Sequence, residues 1–409
     1  MPFILGSIAM SMQEHGLNST SHAFELTPEQ VEILDSADAF ARGELYPLAP
    51  KMDDEEWWPP QVMPALGRMG FLGTTVSSEY GGSDGDFMMS GLIAQGLARW
   101  NHAVSLSYVA HDNLCLNNIA RNASAFIKAK YLPGLCSGEK IGALGLTEPG
   151  AGSDALGSMA TTARRVGDKY ILNGRKLYIT NGPVADVLLV YAKTNKEKGA
   201  KGISAFIVEK NFPGFQVAQK LDKMGFRGST TAELVFDDCE VPVENLVGEE
   251  DRGVAVVMSG LDLERAIVAM INLGMAERAL DLALSHAKLR TQFGKSISEF
   301  QMVQAKLAEM WTSVELMRTF CYRAMAEGNK VGEGEGGRGR FHALSAACIL
   351  YAAETCTKVV SDAVQIFGGA GYMRETEINR LYRASKLLEI GAGTSEVRKL
   401  IIAGEMLKA

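Results

Sequence analysis

The stretch Asp262-Leu-Glu-Arg265 places three ionisable side chains within an apolar helical pattern. At 100° per residue, Val257, Leu261 and Val268 fall on one stripe, and Glu264 lies on its flank rather than on the opposite face. Burial among apolar neighbours disfavours a charged carboxylate and raises its pKa, as a general base working near neutral pH requires. An ion pair within the same stretch explains these residues equally well, and the helical pattern alone does not choose between the two hypotheses.

Three glycine-rich turns carry hydroxyl and backbone N–H groups that could hold a ligand. Thr147-Glu-Pro-Gly-Ala-Gly-Ser-Asp154 follows an apparent strand, and Gln365-Ile-Phe-Gly-Gly-Ala-Gly-Tyr372 follows an apolar helical stretch. The third turn, Gly391-Ala-Gly-Thr-Ser-Glu396, leads through Thr394 into a helix, so its N–H groups suit a phosphate. A wide structural loop explains the first turn equally well, and the second lacks the glycine spacing of a Rossmann nucleotide site.

The elements that position these residues change character twice along the chain. Thr27-Pro-Glu-Gln30 has the pattern of a capped helix start, and helical periodicity continues to about Gly138. Short β-rich runs bounded by turns then predict an antiparallel sandwich or barrel, until the helical period returns at Gly253. We predict a loosely ordered leader over residues 1–24, a helical domain over 25–139, a β-barrel domain over 140–247 and a helical bundle over 248–409.

The composition limits the possible partners. The 409 residues carry a formal net charge of −7, which argues against nucleic acid, and no apolar run reaches the ~20 residues of a membrane span. The first twelve residues are apolar but lack the basic start of a secretory signal, so we expect a cytoplasmic protein. The six cysteines form no C-x-x-C pair and the six histidines no ligand pattern, which predicts buried reduced thiols and no metal site.

Several motifs together resemble the acyl-CoA dehydrogenase family over nearly the whole chain. The matching stretches are Thr147-Glu-Pro-Gly-Ala-Gly-Ser-Asp154, Tyr178-Ile-Thr-Asn-Gly182, Arg290-Thr-Gln-Phe-Gly-Lys295, Gln365-Ile-Phe-Gly-Gly369 and Gly393-Thr-Ser395. The resemblance implies a mostly α fold with an N-terminal helical domain, a middle β-barrel and a C-terminal four-helix bundle. It also implies FAD as cofactor, an acyl-CoA substrate, electron-transfer flavoprotein as electron acceptor and a homotetramer.

The resemblance assigns roles to individual residues. Those expected to line the flavin are Leu144, Thr147, Ser153, Tyr178 and Thr180, with Tyr178 at a position where the family usually has Trp. Those expected to reach the FAD of a neighbouring subunit, or to hold it at a helix start, are Arg290, Phe293, Gln301, Gln365, Gly368, Gly369, Thr394 and Glu396. The expected substrate-binding residues are Ser153, Leu106, Asp262, Arg265, Gly391, Ala392 and Gly393.

Ala392 departs from the family, because most members place the catalytic Glu directly before Gly393. A methyl group cannot abstract a proton, so either dehydrogenase activity is lost or the base lies elsewhere. The stretch from Met258 to Arg265 is similar to the isovaleryl-CoA dehydrogenases within the family, whose base is the Glu of Asp-Leu-Glu-Arg. We therefore predict that Glu264 is the catalytic base for α,β-dehydrogenation of a short branched-chain acyl-CoA.

Two alternatives stay open. Met270-Ile-Asn272 replaces the Gly-Gly-Pro that the isovaleryl resemblance predicts, which leaves the acyl group in question. A bulkier branched, aryl or dicarboxylic ester such as benzylsuccinyl-CoA is the alternative substrate. A non-catalytic acyl-CoA- or flavin-binding scaffold is the alternative from another class, and Ala392 is its only support.

Overall fold

The computed structural model describes residues 26–332 and 336–408, so the predicted leader over residues 1–24 lies outside the described chain. The chain begins with helices: α1 (Pro28–Phe40), α2 (Ala49–Glu55), α3 (Val62–Arg68), α4 (Phe87–Val109), α5 (Asn118–Asn122) and α6 (Ala125–Cys136). The predicted capping box is confirmed, because the Thr27 hydroxyl accepts from the Gln30 N–H and the Gln30 side chain accepts from the Thr27 N–H.

Helix α4 changes direction at Asn101, which has non-helical dihedral angles (φ −148°, ψ 83°). The Asn101 side chain accepts from the Val104 N–H and donates to the Leu45 carbonyl, so it caps the second half of the helix from within. A π-helical segment, Ala110–Asn117, then joins α4 to α5. The sequence predicted separate helices on either side of residues 100–103, but its 3.6-residue period could not reveal the π-helical segment.

The middle of the chain forms one eight-stranded sheet. Its strands are β1 (Gly142–Gly145), β2 (Thr162–Val166), β3 (Lys169–Thr180), β4 (Val187–Lys193), β5 (Ile203–Glu209), β6 (Phe215–Lys220), β7 (Thr231–Pro242) and β8 (Leu246–Val247). The order is β6-β7-β3-β2-β4-β5-β8, and β1 pairs with β4. Most neighbouring strands are antiparallel as predicted, but β4 pairs in parallel with both β1 and β2.

The sequence missed β2, β6 and the two-residue β8 as strands. All of β6 after Phe215 is exposed, because it lies at the edge of the sheet, where polar side chains face water and no apolar alternation develops. By contrast β4 and β5 are buried on both faces except at their last residues, and their continuous apolar runs made them easy to predict.

The remainder of the chain is mainly helical. Its elements are α7 (Gly253–Leu289), the hairpin β9 (Thr291–Gln292) and β10 (Lys295–Ser296), α8 (Gln301–Gly328), α9 (Gly339–Phe367), α10 (Gly369–Tyr372), α11 (Glu377–Ser385) and α12 (Ser395–Met406). Helix α7 lies at the centre and packs against α4, α8 and α9, while α12 packs against α9. The three blocks follow the predicted order; the exact domain boundaries stay a prediction.

Within the described residues, α9 alone is long and apolar enough to span a membrane, and half of its most apolar window is buried in the protein. Core helices of globular folds meet the same criterion. The predicted reduced thiols are confirmed, because all six cysteines are buried and none forms a disulfide.

Candidate active site

The Glu264 side chain is buried and has no hydrogen bond or ion pair among the residues that the structure describes; the residue is only 8% exposed. Burial raises its pKa from 4.5 to about 7, and the nearby positive charges of Arg265 and Arg398 only partly oppose this. The ion pair within the stretch joins Arg265 to Asp262, at 2.7 Å, and leaves Glu264 unpaired. The predicted ion pair is therefore present but involves Asp262 rather than Glu264, and the role of Glu264 as a base stays a prediction.

The predicted placement of Glu264 on the flank of a one-sided apolar stripe is wrong. Every residue from Asp262 to Ala276 is buried, including residues on all faces of α7. Neighbouring helices cover α7 on several sides, so polar residues in this stretch have no water-facing side to occupy. The environment of Glu264 is therefore drier than the helical pattern suggested.

The Asp262 carboxylate is the centre of a buried polar network. Oδ1 accepts from Arg265 and from Nδ1 of His342, at 2.7 and 2.6 Å, and Oδ2 accepts from the Gly337 N–H at 2.7 Å. These partners occupy both carboxylate oxygens of Asp262. The side chain is therefore better placed to position its neighbours than to contact a ligand directly. The expected contacts of Asp262 and Arg265 with CoA stay a prediction.

The turn that carries Gly391, Ala392 and Gly393 lies beside the base. Arg398 is fully buried and donates to the carbonyls of Leu388 and Gly391, at 2.8 and 2.5 Å. Glu264 and Arg398 are close enough to shift each other's pKa, so Arg398 connects this turn to the base. Ala392 has a left-handed φ of 56°, and its N–H has no acceptor within the described chain. That N–H is available to a ligand oxygen.

Four of the five residues predicted to line the flavin converge at the ends of β1 and β3, and the fifth, Ser153, is exposed in the turn that follows Thr147. The Leu177 N–H donates to the Thr147 carbonyl, and Asn181 donates from its side chain to the carbonyls of Gly142 and Ser107. These bonds bring Leu106 of α4 close to four residues predicted to line the flavin. The four are Leu144, Thr147, Tyr178 and Thr180. Tyr178 has a left-handed φ of 62° and a 66% exposed side chain.

The residues expected to contact a neighbouring subunit's FAD lie apart from these, on the surface of the helical bundle. They occupy the β9–β10 hairpin and its flanks, the first turn of α8 and the end of α9; all are exposed, and they are Arg290, Phe293, Gln301, Gln365, Gly368 and Gly369. Thr394 caps α12 by accepting from the Val397 N–H, and Glu396 is exposed in its first turn. Their contacts with FAD stay a prediction.

Sequence reasoning missed the ion pair between Lys176 and Glu148, in which Nζ lies 2.7 Å from Oε1 and both residues are buried. Glu148 also accepts from the N–H groups of Ala160 and Thr161. The ion pair therefore holds the start of the 147–154 turn in place. A signal existed: Tyr170, Leu172 and Lys176 are separated by even numbers of residues on β3, a spacing that places them on one buried face. His342 is the second omission, and one histidine among small residues gave no signal.

A cavity of about 1280 Å³ opens beside the first turns of α7. Its wall combines α7, the segment before α9, the end of α12 and the β-domain; the lining residues include Lys198, Lys201, Asp251, Arg252, Ala255, Met258, Gly336, Gly337, Arg338, Glu405 and Lys408. Lys198 pairs with Asp251 and Lys408 pairs with Glu405. Lys201, Arg252 and Arg338 also line the cavity, and none of the three has an ion-pair partner among the described residues.

Comparisons with known proteins agree with this fold. Family models for the N-terminal, middle and C-terminal domains of acyl-CoA dehydrogenase match residues 27–139, 143–239 and 251–407. An isovaleryl-CoA dehydrogenase of Oryza sativa subsp. japonica is 44% identical over 395 residues, which cover 96% of this chain and 94% of that protein.

Solved structures give the same result. Butyryl-CoA dehydrogenase from Megasphaera elsdenii superposes with a TM-score of 0.90 at 38% identity, covering 94% of this chain and all of that one. The FAD complex of PigA has a TM-score of 0.88 at 32% identity, covering 94% and 98% of the two chains.

The fold and the site define a three-domain flavoprotein dehydrogenase. The chain belongs to the acyl-CoA dehydrogenase family, and it is an FAD-dependent oxidoreductase that acts on acyl-CoA. The residues present fit the cofactor. The exposed Tyr178 ring, held outward by a left-handed backbone, offers a face to a planar ring, and Ser395 carries a buried hydroxyl with no partner within the described chain at the start of α12.

Proposed function

We propose that this protein removes the α-proton and β-hydride of a short branched-chain acyl-CoA, with Glu264 as the catalytic base. The observation that carries the proposal is a buried, unpaired carboxylate whose pKa is raised to about 7. A base with this pKa is substantially ionised at neutral pH yet retains affinity for a proton. The neighbouring Ala392 has no acidic group, which leaves Glu264 as the candidate in the site.

The chain's own residues account for the proton transfer. Glu264 takes the proton at the carbon next to the thioester, and the Ala392 N–H stabilises negative charge on the thioester oxygen. Arg398 holds the turn that carries this N–H through the Leu388 and Gly391 carbonyls. FAD held by the flavin-side residues would supply the acceptor for the hydride that leaves the β-carbon. The buried walls of α7 exclude water, which would otherwise solvate the Glu264 carboxylate and lower its pKa.

The cavity beside α7 is the proposed path for the CoA part of the substrate. Its volume of about 1280 Å³ exceeds the ~300–1,000 Å³ typical of drug-sized ligands, as a long substrate needs. CoA carries three phosphate groups, and Lys201, Arg252 and Arg338 supply three cations that have no ion-pair partner among the described residues. Met258 lies in the cavity wall between one and two helical turns before Glu264, so a thioester arm that follows α7 points toward the base.

The electron acceptor and the assembly belong to the same proposal. Electron-transfer flavoprotein is the proposed acceptor, and the proposed assembly is a homotetramer in which exposed residues such as Phe293 reach the FAD of a neighbour. The size of the acyl group is the part of the substrate that these residues do not determine. Met270 to Asn272 are fully buried in α7 and do not line the cavity. Their departure from the isovaleryl pattern is therefore weak support for a bulkier substrate.

A substrate panel with a base variant tests the function. Glu264→Gln keeps the size of the side chain but cannot take a proton, so we expect anaerobic flavin bleaching by isovaleryl-CoA to slow by roughly 10²–10⁴-fold. FAD content and CoA-ester affinity should match the wild type. Bleaching at an unchanged rate would contradict the assignment of the base.

The same panel separates the proposed substrates. We expect the wild type to prefer isovaleryl-CoA and 2-methyl-branched esters over straight long-chain esters. A preference for benzylsuccinyl-CoA would select the bulkier alternative, and no turnover of any ester with an artificial electron acceptor would select the non-catalytic scaffold. Glu79→Gln, an exposed carboxylate on a distant turn, is the matched control.

A further inference from the structure

We infer that His342 is a positioning residue for CoA binding, acting through Asp262 on the wall of the cavity beside α7. This inference rests on the proposed function, in which that cavity receives the CoA part of the substrate. His342 lies in the first turn of α9, is 7% exposed, and belongs to neither the flavin-side residues nor the turn beside Glu264.

The geometry defines the direction of the contact. Nδ1 of His342 lies 2.6 Å from Oδ1 of Asp262, and Arg265 donates to the same oxygen. An ionised carboxylate only accepts hydrogen bonds, so His342 donates from Nδ1. Arg265 and the Gly337 N–H also donate to this carboxylate, so Asp262 acts as the acceptor in all three contacts.

The second oxygen of Asp262 reaches the cavity wall. Oδ2 accepts from the Gly337 N–H at 2.7 Å, and Gly337 lines the cavity together with Gly336 and Arg338. Gly336 and Gly337 lie directly on α7, because a Cβ added to either would be within 2.6 Å of Met258 atoms. The segment therefore packs against the same residue that lines the cavity.

His342 holds Asp262 from the α9 side, while Arg265 holds it from within α7. Without the His342 bond, Asp262 can rotate toward Arg265 and release the Gly337 N–H. The segment then loses the contact that sets its distance from α7, and Arg338, one of the three cavity cations, shifts with it. Glu264 makes no hydrogen bond to these residues, and the Asp262–Arg265 pair stays in place, so we expect the consequence to fall on CoA binding rather than on proton transfer.

Two isosteric variants separate this role from general packing. In His342→Asn the side-chain amide N–H lies near the position of Nδ1 and can keep the bond to Asp262, whereas in His342→Gln the amide lies near the position of Nε2 and cannot. We expect His342→Gln to raise the KM for the acyl-CoA about tenfold, with kcat within about twofold of the wild type. His342→Asn should restore the wild-type KM.

A shortened substrate provides the second readout. The N-acetylcysteamine thioester of the same acyl group lacks the nucleotide and ends before the Arg338 segment. Its kcat/KM should be equal in the wild type and in both variants. Equal damage with both thioesters, or an unchanged KM for the CoA ester in His342→Gln, would overturn the inference.

Arg252→Gln distinguishes the failure of the inference from the failure of the proposed cavity role. It removes one cation from the cavity without touching the Asp262 network. A raised KM in Arg252→Gln with no effect in His342→Gln rejects only the positioning role. An unchanged KM for the CoA ester in Arg252→Gln would show that CoA binds outside this cavity. The proposed cavity role and the positioning role of His342 would then both be wrong.

Discussion

Glu264 obtains its basicity from its surroundings rather than from a partner. The folded protein holds the proton on this carboxyl up to about pH 7, whereas the unfolded chain releases it near pH 4.5. Between these values the folded state binds more protons, so Glu264 lowers stability progressively as the pH rises, and its full cost is present above pH 7. The residue that we propose as the catalytic base therefore destabilises the fold at neutral pH and above.

Glu264→Gln should stabilise the protein while it abolishes catalysis. Glutamine does not titrate, so we expect the variant to exceed the wild type by roughly 1–3 kcal/mol in free energy of unfolding at pH 8. The difference should shrink steadily as the pH falls toward 5. Urea unfolding of both proteins at pH 5, 6, 7 and 8 measures it. A difference that does not change with pH would show that Glu264 is not held with a raised pKa.

At the scale of elements, a buried ion pair fixes the flavin-side turn. Burial opposes the ionisation of Glu148, but the charge of Lys176 and hydrogen bonds from Lys176, Thr161 and Ala160 outweigh it and lower its pKa. Lys176 also donates to the Leu146 carbonyl. One ammonium group thus holds the end of the β1 strand and the following turn together.

Lys176→Met should cost about 3–5 kcal/mol in unfolding free energy, because it leaves the Glu148 charge buried and unpaired. We expect the variant to lose FAD during purification, measured as flavin absorbance per chain. The double variant Lys176→Met/Glu148→Gln removes both charges and should recover most of the stability. Lys169→Met, which breaks a partly exposed pair with Glu240, is the control and should leave the free energy of unfolding close to that of the wild type. Equal losses in the two lysine variants would contradict the role of the buried pair.

The elements also explain what the sequence could and could not predict. Strands buried on both faces and helices with a buried stripe were evident from their apolar patterns, and so was the order of the three blocks. Edge strand β6 and the continuous burial of α7 were not, because each depends on what packs beside the element rather than on its own periodicity. Glu264 was predictable as a base only with the resemblance, since the pattern alone allowed an ion pair. The spacing on β3 indicated that Lys176 is buried, but it could not identify the partner Glu148, 28 residues away. His342 contacts Asp262, 80 residues away, and no local spacing pairs the two.

At the scale of the whole molecule, several large apolar side chains on the helical bundle are mostly exposed to solvent. Phe293 at the β9–β10 hairpin is 93% exposed, Met302 at the start of α8 is 80% exposed, and Leu289 at the end of α7 is 74% exposed. Grouped apolar exposure of this kind marks an interaction surface, and the proposed homotetramer would cover it.

Phe293→Ser should weaken assembly without unfolding the chain, because an almost fully exposed side chain contributes little to its own subunit. We expect light scattering after size-exclusion chromatography to show smaller species and a lower FAD content. Phe126→Ser, at a 54% exposed position on α6, is the matched control and should leave the assembly intact. A wild-type assembly in Phe293→Ser would remove this hairpin from the proposed interface.

The base and the N–H group proposed to bind the thioester oxygen come from different parts of the chain. Glu264 lies on a helix enclosed by its neighbours, whereas Ala392 lies in a short turn held through Arg398. In laboratory evolution, that turn can therefore be randomised to admit new acyl shapes while the proton acceptor stays in place. A family member with its carboxylate on the turn has to alter specificity and chemistry together.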